Sequence, residues 1–456
     1  MMKKVVSLLT LSSLLVAAPL VIGVVNNSSP LAAVAHAEEK KEPKYKDVQT
    51  RQRQAVGKKC AKSLESVQVL LEEERWPEAL ADLKRVESSD KTCESDYEQT
   101  QVWKFMGYVY YSLDDMAQAI NQYKRVVNGA GTPPELRLDT RYTLAQLYTV
   151  QEDYKNAAKQ LEAWISESTI VGSDAKVLLA QIYFQLDRKA EALALVEEAI
   201  GEYEARGELP KEGWWSLQRV LYFEKNDYKK VASILEQLVT HYPSWSYWRQ
   251  LGGMYGELER ETDRLVATEV VYLNGELDTE SQVLSMGYMY LGAGVPYRAA
   301  KIIDQGMQEK KIERNLKNLE VLGTAWYQAK ELKRALSALE EASKKAEDGN
   351  IQARLAGLYL DLGNDQASYD AAVKAAKQGK VKKPDANYML MGNAPVNMHC
   401  YQDAIAAFKK SIKAAGDDKK AKRYPQQWIQ YAEAEGDRLD KLRKAGAEVP
   451  SCRKVS

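Results

Sequence analysis

Histidine, cysteine and phenylalanine are scarce in this chain, and their scarcity limits the chemistry that it can perform. Among 456 residues there are 3 His, 4 Cys and 4 Phe. The sequence has no paired-histidine zinc motif, no glycine-rich phosphate loop ending in Lys-Ser or Lys-Thr, and no Gly-x-Ser-x-Gly nucleophile turn. We therefore predict no catalytic residues, no cofactor and no metal site, and we do not expect an enzyme.

An excess of charge of either sign is also missing. Lys plus Arg equal Asp plus Glu at 64 each. Proteins that bind nucleic acid neutralise phosphates with a positive excess, so nucleic acid is not an expected partner. The same balance argues against a general attraction to acidic membranes, although local basic patches remain open. Acidic runs such as residues 72–74 indicate solvated helix faces and not a catalytic carboxylate pair.

A long apolar run occurs at the N-terminus and nowhere later in the chain. Lys3 and Lys4 precede the apolar residues 5–25, and Ala35-His36-Ala37 has the small-x-small pattern of a signal peptidase site. We predict a signal peptide over residues 1–37, a charged leader over residues 38–47, and an exported protein without stable membrane insertion. An uncleaved anchor is the alternative, because the run approaches the roughly 20 residues that span a bilayer.

The four cysteines, Cys60, Cys93, Cys400 and Cys452, all follow the predicted leader. An even count in an oxidising compartment favours disulfides, and the sequence alone allows three pairings. The repeat register described next favours Cys60–Cys93 and Cys400–Cys452, one bridge at each end of the array, with buried free thiols as the alternative. His399, beside Cys400, is interpreted as a surface residue next to a disulfide and not as a metal ligand.

Internal repetition dominates the chain after residue 48. Residues 103–110 (WKFMGYVY) and 248–255 (WRQLGGMY) share an aromatic residue, an apolar residue three later, then Gly, then Tyr three after that. This spacing places large residues on one helix face and the small residue where a neighbouring helix approaches closely. An alanine recurs twelve residues later, as from Gly107 to Ala119 and from Gly323 to Ala335. The pattern predicts helical hairpins whose recurring Gly, Ala and Tyr residues are core positions.

This pattern resembles the tetratricopeptide repeat (TPR) family, whose signature has small residues at its eighth and twentieth positions. The first small position falls at Val67, Gly107, Ala145, Ala180, Arg219, Gly252, Gly287, Gly323, Ala356 and Gly392. The resemblance implies an all-α, right-handed α-solenoid of about ten TPR-like hairpins over residues 48–415. A C-terminal capping helix and tail are expected over residues 416–456.

Several repeats depart from the family pattern. Val67 and Arg219 replace the first small residue, and Arg264 and Ser368 replace the second. Pro395 stands where Tyr is usual. We expect the second helix of the sixth repeat to tilt or shift around Arg264.

In proteins that look like this, the first helices line a concave groove that binds polypeptides. The family's groove positions, transferred residue by residue, give the predicted partner-binding set: Lys104, Tyr108, Tyr111, Tyr142, Gln146, Gln181, Phe184, Phe223, Arg249, Gly253, Tyr288 and Tyr327. Tyrosine offers a large contact area at low entropic cost, and glycine lets a ligand approach the backbone. The alternative is that these aromatic rings fill the space between successive repeats.

The function implied by the resemblance is that of a periplasmic TPR scaffold or adaptor for protein–protein interactions in the cell envelope. The overall plan, with residues 211–217 (KEGWWSL), also resembles periplasmic TPR proteins associated with TonB-type energy-transduction systems. That resemblance implies a TonB-like or outer-membrane transport component as partner. Two alternatives remain open: a factor that coordinates cell-wall or outer-membrane assembly, and a protein that binds a glycan or small molecule.

Overall fold

Helices account for the regular structure of the described residues, 55–89 and 91–452, in a computed structural model that shows no β-strands in these ranges. The helices are α1 (Lys58–Glu72), α2 (Trp76–Glu87), α3 (Asp96–Ser112), α4 (Met116–Asn128), α5 (Pro134–Val150), α6 (Tyr154–Glu167), α7 (Ser173–Gln185), α8 (Lys189–Ala205), α9 (Glu212–Glu224), α10 (Tyr228–His241), α11 (Trp245–Glu257), α12 (Glu261–Leu273), α13 (Glu280–Gly292), α14 (Pro296–Gln308), α15 (Leu316–Gln328), α16 (Leu332–Ser343), α17 (Asn350–Asp361), α18 (Asp365–Gln378), α19 (Pro384–Asn397), α20 (Tyr401–Ala414) and α21 (Lys419–Lys444). The predicted signal peptide and charged leader lie outside the described residues.

Each helix packs against its neighbours in sequence, so that α1–α20 form ten consecutive hairpins. Every predicted first small position lies on an odd-numbered helix, and the residue twelve positions later lies on the helix that follows. The all-helical repeat array is therefore confirmed. None of the described helices is long and apolar enough to cross a membrane.

Each of the ten hairpins turns through a single residue in the left-handed conformation. This residue always follows the first small position by seven: Glu74, Asp114, Glu152, Asp187, Asn226, Glu259, Gly294, Lys330, Gly363 and His399. The next N–H bonds the carbonyl five residues earlier, as from Asp115 to Tyr110 at 2.9 Å, which is a Schellman helix end. Because the turn recurs in every hairpin, the repeats with unusual motif residues keep the register.

Glycine at the first small position allows the two helices of a hairpin to touch. A Cβ added to Gly323 would lie 2.7 Å from Leu339, and one added to Gly107 would lie 2.8 Å from Tyr123. Real Cβ atoms do not approach other atoms so closely. The large residue four positions after the recurring alanine therefore packs directly on the glycine.

The tyrosine three positions after the first small residue links successive hairpins. In five hairpins the ring is buried or half-buried, and the hydroxyl donates a hydrogen bond to a glutamate on the second helix of the preceding hairpin. The pairs are Tyr183 with Glu162, Tyr222 with Glu197, Tyr255 with Glu236, Tyr290 with Glu269, and Tyr359 with Glu340. Burial first, and the carboxylate second, raise the pKa of these five hydroxyls to about 12. The tyrosines are structural, as predicted.

Two disulfides, Cys60–Cys93 and Cys400–Cys452, close the two ends of the array. This is the pairing favoured by the register, and no described cysteine is a free thiol. At the C-terminal end, α21 packs on α20, with the Trp428 ring 6.1 Å from that of Phe408. The second bridge fastens the segment after α21 to the turn between α19 and α20.

The buried apolar clusters divide within the sixth hairpin, α11 with α12, as they also do within α4 between Ala119 and Ile120. One buried cluster includes Ala267, and a separate one begins at Val271, on the same helix. Arg264 and Thr268 stand at the positions that hold an alanine and a large apolar residue in most other hairpins. A Cβ on Gly252 would consequently lie at ordinary van der Waals distances from its neighbours, 3.4 Å from the Thr268 hydroxyl, 3.6 Å from the Ala267 Cβ and 3.9 Å from the Arg264 carbonyl. The departure at Arg264 opens a cleft at this point of the array.

Candidate protein-binding surface

Successive first helices lie side by side and are joined by polar contacts. The Tyr247 hydroxyl of α11 donates to Glu212 of α9 at 2.6 Å. Tyr327 of α15 likewise donates to Asp361 at the end of α17, at 2.8 Å. These contacts link first helices of successive hairpins, and the outward residues of the odd-numbered helices α1–α19 are called here the first-helix face.

Seven predicted groove residues are exposed on the first-helix face: Lys104, Gln181, Phe223, Arg249, Gly253, Tyr288 and Tyr327. The aromatic side chains among them stand out, since Phe223 is 49% exposed, Tyr288 45% and Tyr327 40%. Large exposed rings near the middle of an otherwise polar surface are typical of protein contacts. These three residues are the strongest candidates for direct contact.

Five other predicted groove residues are half-buried: Tyr108, Tyr111, Tyr142, Gln146 and Phe184. The Tyr108 ring meets Trp76 edge-on at 5.7 Å, and the Tyr142 ring lies 5.0 Å from Trp164. Burial raises the pKa of Tyr142. These rings do fill space between helices, as the alternative interpretation requires, so that truncating them would also disturb packing. Their role in binding stays a prediction.

The cleft at the sixth hairpin lies between α11, α12 and α13 and has a volume of about 340 Å³. Its walls are lined by Arg249, Gly253, Arg264, Thr268, Ser281 and Ser285, and Val271 and Leu277 add apolar surface. A Cβ on Gly253 would have no neighbour within 4 Å, so the helix backbone is accessible there. Guanidinium and hydroxyl groups beside apolar surface can satisfy the carbonyls of an extended polypeptide.

The family's groove positions miss most residues of this cleft, among them Arg264, Thr268, Ser281 and Ser285. One signal in the sequence did point to it, namely Arg264 in the place of a recurring alanine. The guanidinium has only a loose ion pair with Glu261, at 3.6 Å. Arg249 is also held loosely: it donates to the Glu276 carbonyl at 3.3 Å and lies 4.0 Å from the Glu276 carboxylate.

Arg219, in the first small position of the fifth repeat, contacts the neighbouring hairpin. It donates a hydrogen bond to Gln250 of α11. Burial lowers the pKa of its guanidinium. An arginine in this position therefore reaches out of its own hairpin and becomes a link between first helices.

A group of possible metal ligands, Cys400, Asp403 and Cys452, lies at the C-terminal end. Both sulfurs are consumed by the disulfide and do not offer thiolate ligands. His399 occupies the left-handed turn residue, with Nδ1 3.3 Å from the Tyr401 hydroxyl. The position of His399 is therefore explained by its part in the turn.

Comparisons with known proteins give one family match. Residues 142–206, which extend from α5 to the end of α8, match the family model described as tetratricopeptide repeat. No curated protein matches the chain. Proteins of this fold are typically non-catalytic.

Solved structures with low overall similarity include a tetratricopeptide repeat protein from Parabacteroides merdae ATCC 43184, at 14% identity and a TM-score of 0.34, covering 58% of this chain and 99% of that one. MamA matches at 20% identity and a TM-score of 0.33, over 39% of this chain and 94% of that one. The Cut9–Hcn1 hetero-tetramer of APC/C matches at 15% identity and a TM-score of 0.28, covering 82% of this chain and 83% of that one. The tetratricopeptide repeat model thus matches one part of an array whose ten hairpins share one register.

Proposed function

We propose that this protein is a periplasmic scaffold that holds one or more cell-envelope proteins against its first-helix face. TPR-type proteins generally bind other proteins or peptides. The observation that carries the proposal is the presence of three exposed aromatic residues, Phe223, Tyr288 and Tyr327, on the same face as the open cleft at Gly253.

The energetics favour these residues as anchors. Burying apolar surface stabilises a complex by about 25 cal/mol per Å², and aromatic anchors carry much of the binding energy in interfaces. The cleft adds donors for backbone carbonyls of a partner segment, and Gly253 lets that segment come close. An extended segment that crosses α9, α11, α13 and α15 would meet all of them.

The finer proposal is a TonB-like or outer-membrane transport component as partner. It is supported by the predicted export signal and by the resemblance of residues 211–217. Trp214 and Trp215 in that segment are buried, each 4% exposed, so the segment would serve the fold and not the contact.

Affinity capture from a cell-envelope lysate tests the scaffold, using a Phe223→Ala/Tyr288→Ala/Tyr327→Ala variant. The matched control is Val266→Ala/Leu273→Ala on α12, a second helix, where these side chains are 52% and 72% exposed. We expect a partner that the control retains and the triple variant loses by at least about tenfold. Equal capture by both variants would place the contact elsewhere.

Deletion phenotypes separate the finer alternatives. Loss of TonB-dependent uptake, such as iron uptake, supports the transport partner. Normal uptake combined with altered cell shape or detergent sensitivity would indicate envelope assembly. Trp fluorescence changes with sugars, without protein capture, would favour a glycan-binding protein.

A further inference from the structure

A cluster of basic residues lies near the C-terminal end of this neutral chain. Residues 380–385 and 410–423 contain nine basic and three acidic residues. The nine are Lys380, Lys382, Lys383, Lys410, Lys413, Lys419, Lys420, Lys422 and Arg423, and they are called here the basic edge. The total composition conceals this excess, because acidic residues elsewhere in the chain balance it.

The tertiary structure brings these segments to one edge of the array. The Ser411 hydroxyl, near the end of α20, donates to the Asp385 carbonyl at the start of α19, at 2.9 Å. The preceding loop is held to α17 by a bond from the Lys382 N–H to the Asn350 side chain, also at 2.9 Å. The loop before α19, the end of α20 and the beginning of α21 are therefore neighbours.

The basic edge is not neutralised within the described part of the chain. None of its nine side chains has a carboxylate of a described residue within 4.0 Å, whereas arginines elsewhere pair across repeats, as Arg354 does with Glu320 at 2.8 Å. Of the local carboxylates, Asp418 instead caps α21 by accepting from the Lys420 N–H at 2.8 Å. Hydrogen bonds from Asn350 chiefly lower the pKa of Asp348; Lys382 and Lys380 add a smaller electrostatic contribution but make no ion pair with it. Unpaired like charges repel one another, so an external anionic partner would relieve that repulsion.

An exposed aromatic residue adjoins the charge. Tyr424 follows Arg423 directly and is 67% exposed. Protein segments that lie at the headgroup level of a bilayer are often rich in tyrosine and basic residues. Single-stranded nucleic acid is instead bound in basic grooves with several stacking rings. Here Tyr424 is the most exposed ring of α21, and Tyr431, two turns later, is 48% exposed.

We propose that the basic edge docks this protein on the surface of an anionic phospholipid bilayer, with Tyr424 at the interface. Each Lys or Arg close to such a surface raises the partition coefficient about fivefold. Docking by this edge holds the scaffold at a membrane without inserting a helix. The first-helix face is a different surface, so that the proposal is independent of the partner proposed above.

Vesicle sedimentation tests the proposal with the protein recovered after export from its host. The edge variant is Lys380→Gln/Lys382→Gln/Lys383→Gln/Lys419→Gln/Lys420→Gln. The matched control, Lys58→Gln/Lys59→Gln/Lys62→Gln/Lys155→Gln/Lys159→Gln, removes the same charge from exposed lysines in the N-terminal repeats. Vesicles contain phosphatidylglycerol with phosphatidylcholine, or phosphatidylcholine alone, the latter measuring any attachment through residues 1–54.

We expect the unmodified protein and the control to bind anionic vesicles, and the edge variant to bind at least about tenfold more weakly. Raising the salt concentration to about 0.5 M should release the protein, because exposed charges are screened. Equal binding of the two variants, or equal binding to neutral vesicles, would overturn the proposal. A preference for single-stranded DNA or heparin over anionic vesicles, at matched anionic charge, would also overturn the proposal.

Discussion

At the scale of single residues, the recurring tyrosine of five repeats meets two requirements at once. Its ring fills the hairpin core, and its buried hydroxyl needs a hydrogen-bond partner, because an unsatisfied buried polar group is costly. Glu162 and Glu236 supply that partner for Tyr183 and Tyr255, each at 2.8 Å. The tyrosines follow from the sequence period. Their glutamates do not, because the separation between partners ranges from 19 to 25 residues.

The raised tyrosine pKa values predict a loss of stability in alkali. An unfolded tyrosine ionises near pH 10, whereas these five ionise at about 12 in the folded protein. The folded state therefore favours the protonated hydroxyl, and its contribution is complete below pH 10 and lost as the pH rises towards 12. Urea unfolding at a series of pH values between 8 and 11.5 should show the free energy of unfolding falling above pH 10.

A Tyr183→Phe/Tyr255→Phe variant is the control for this effect. It lacks two of the shifted hydroxyls, so its stability should fall less steeply above pH 10 than that of the unmodified protein. Parallel curves for the two proteins would mean that these hydroxyls do not cause the alkaline loss.

At the scale of elements, the sixth hairpin shows what one substitution in a repeat does to packing. In most other hairpins a glycine or alanine receives a large apolar side chain, but between Gly252 and Thr268 this contact is loose. The same loss produces the cleft beside Gly253. The sequence indicated an irregular repeat at Arg264, whereas the cleft itself depends on how α13 sits against α12, which no local pattern specifies.

Restoring the small-and-large pair should close the cleft. In an Arg264→Ala/Thr268→Leu variant, we expect leucine to pack on Gly252 and to increase stability by about 0.5–2 kcal/mol, the range for filled cavities. Hydrogen exchange of α12 and α13 amides measures the change, with slower exchange as the expected result. Faster exchange would show that Arg264 stabilises this junction. A stable variant that no longer captures the partner would place the ligand in the cleft.

At the scale of the whole molecule, stability comes from contacts between neighbouring hairpins. An end hairpin has one such neighbour fewer than an inner one, which makes the ends the first parts to open. The disulfides are placed at these ends, with α21 as an additional cover on α20. Their separations along the chain are 33 and 52 residues.

Removing one bridge should therefore weaken one end and leave the other unchanged. We expect a Cys400→Ser/Cys452→Ser variant to lose about 2–4 kcal/mol of local stability in α19–α21. Hydrogen exchange resolved by helix should show this loss at α19–α21 with α1–α3 unaffected. The Cys60→Ser/Cys93→Ser variant is the reciprocal control, and uniform loss along the array in either variant would contradict independent ends.

The sequence by itself determined the helical hairpins, their number and register, the core positions and the disulfide pairing favoured by that register. These follow from local periodicity, since small and large residues at fixed spacing dictate which helix faces meet. Only the tertiary structure decided which predicted groove residues are exposed, where the core opens into a cleft, and which glutamates receive the tyrosines. It also gathered basic residues from separate segments into one edge. Each of these depends on distances between residues far apart in the chain, which are set by how the hairpins stack.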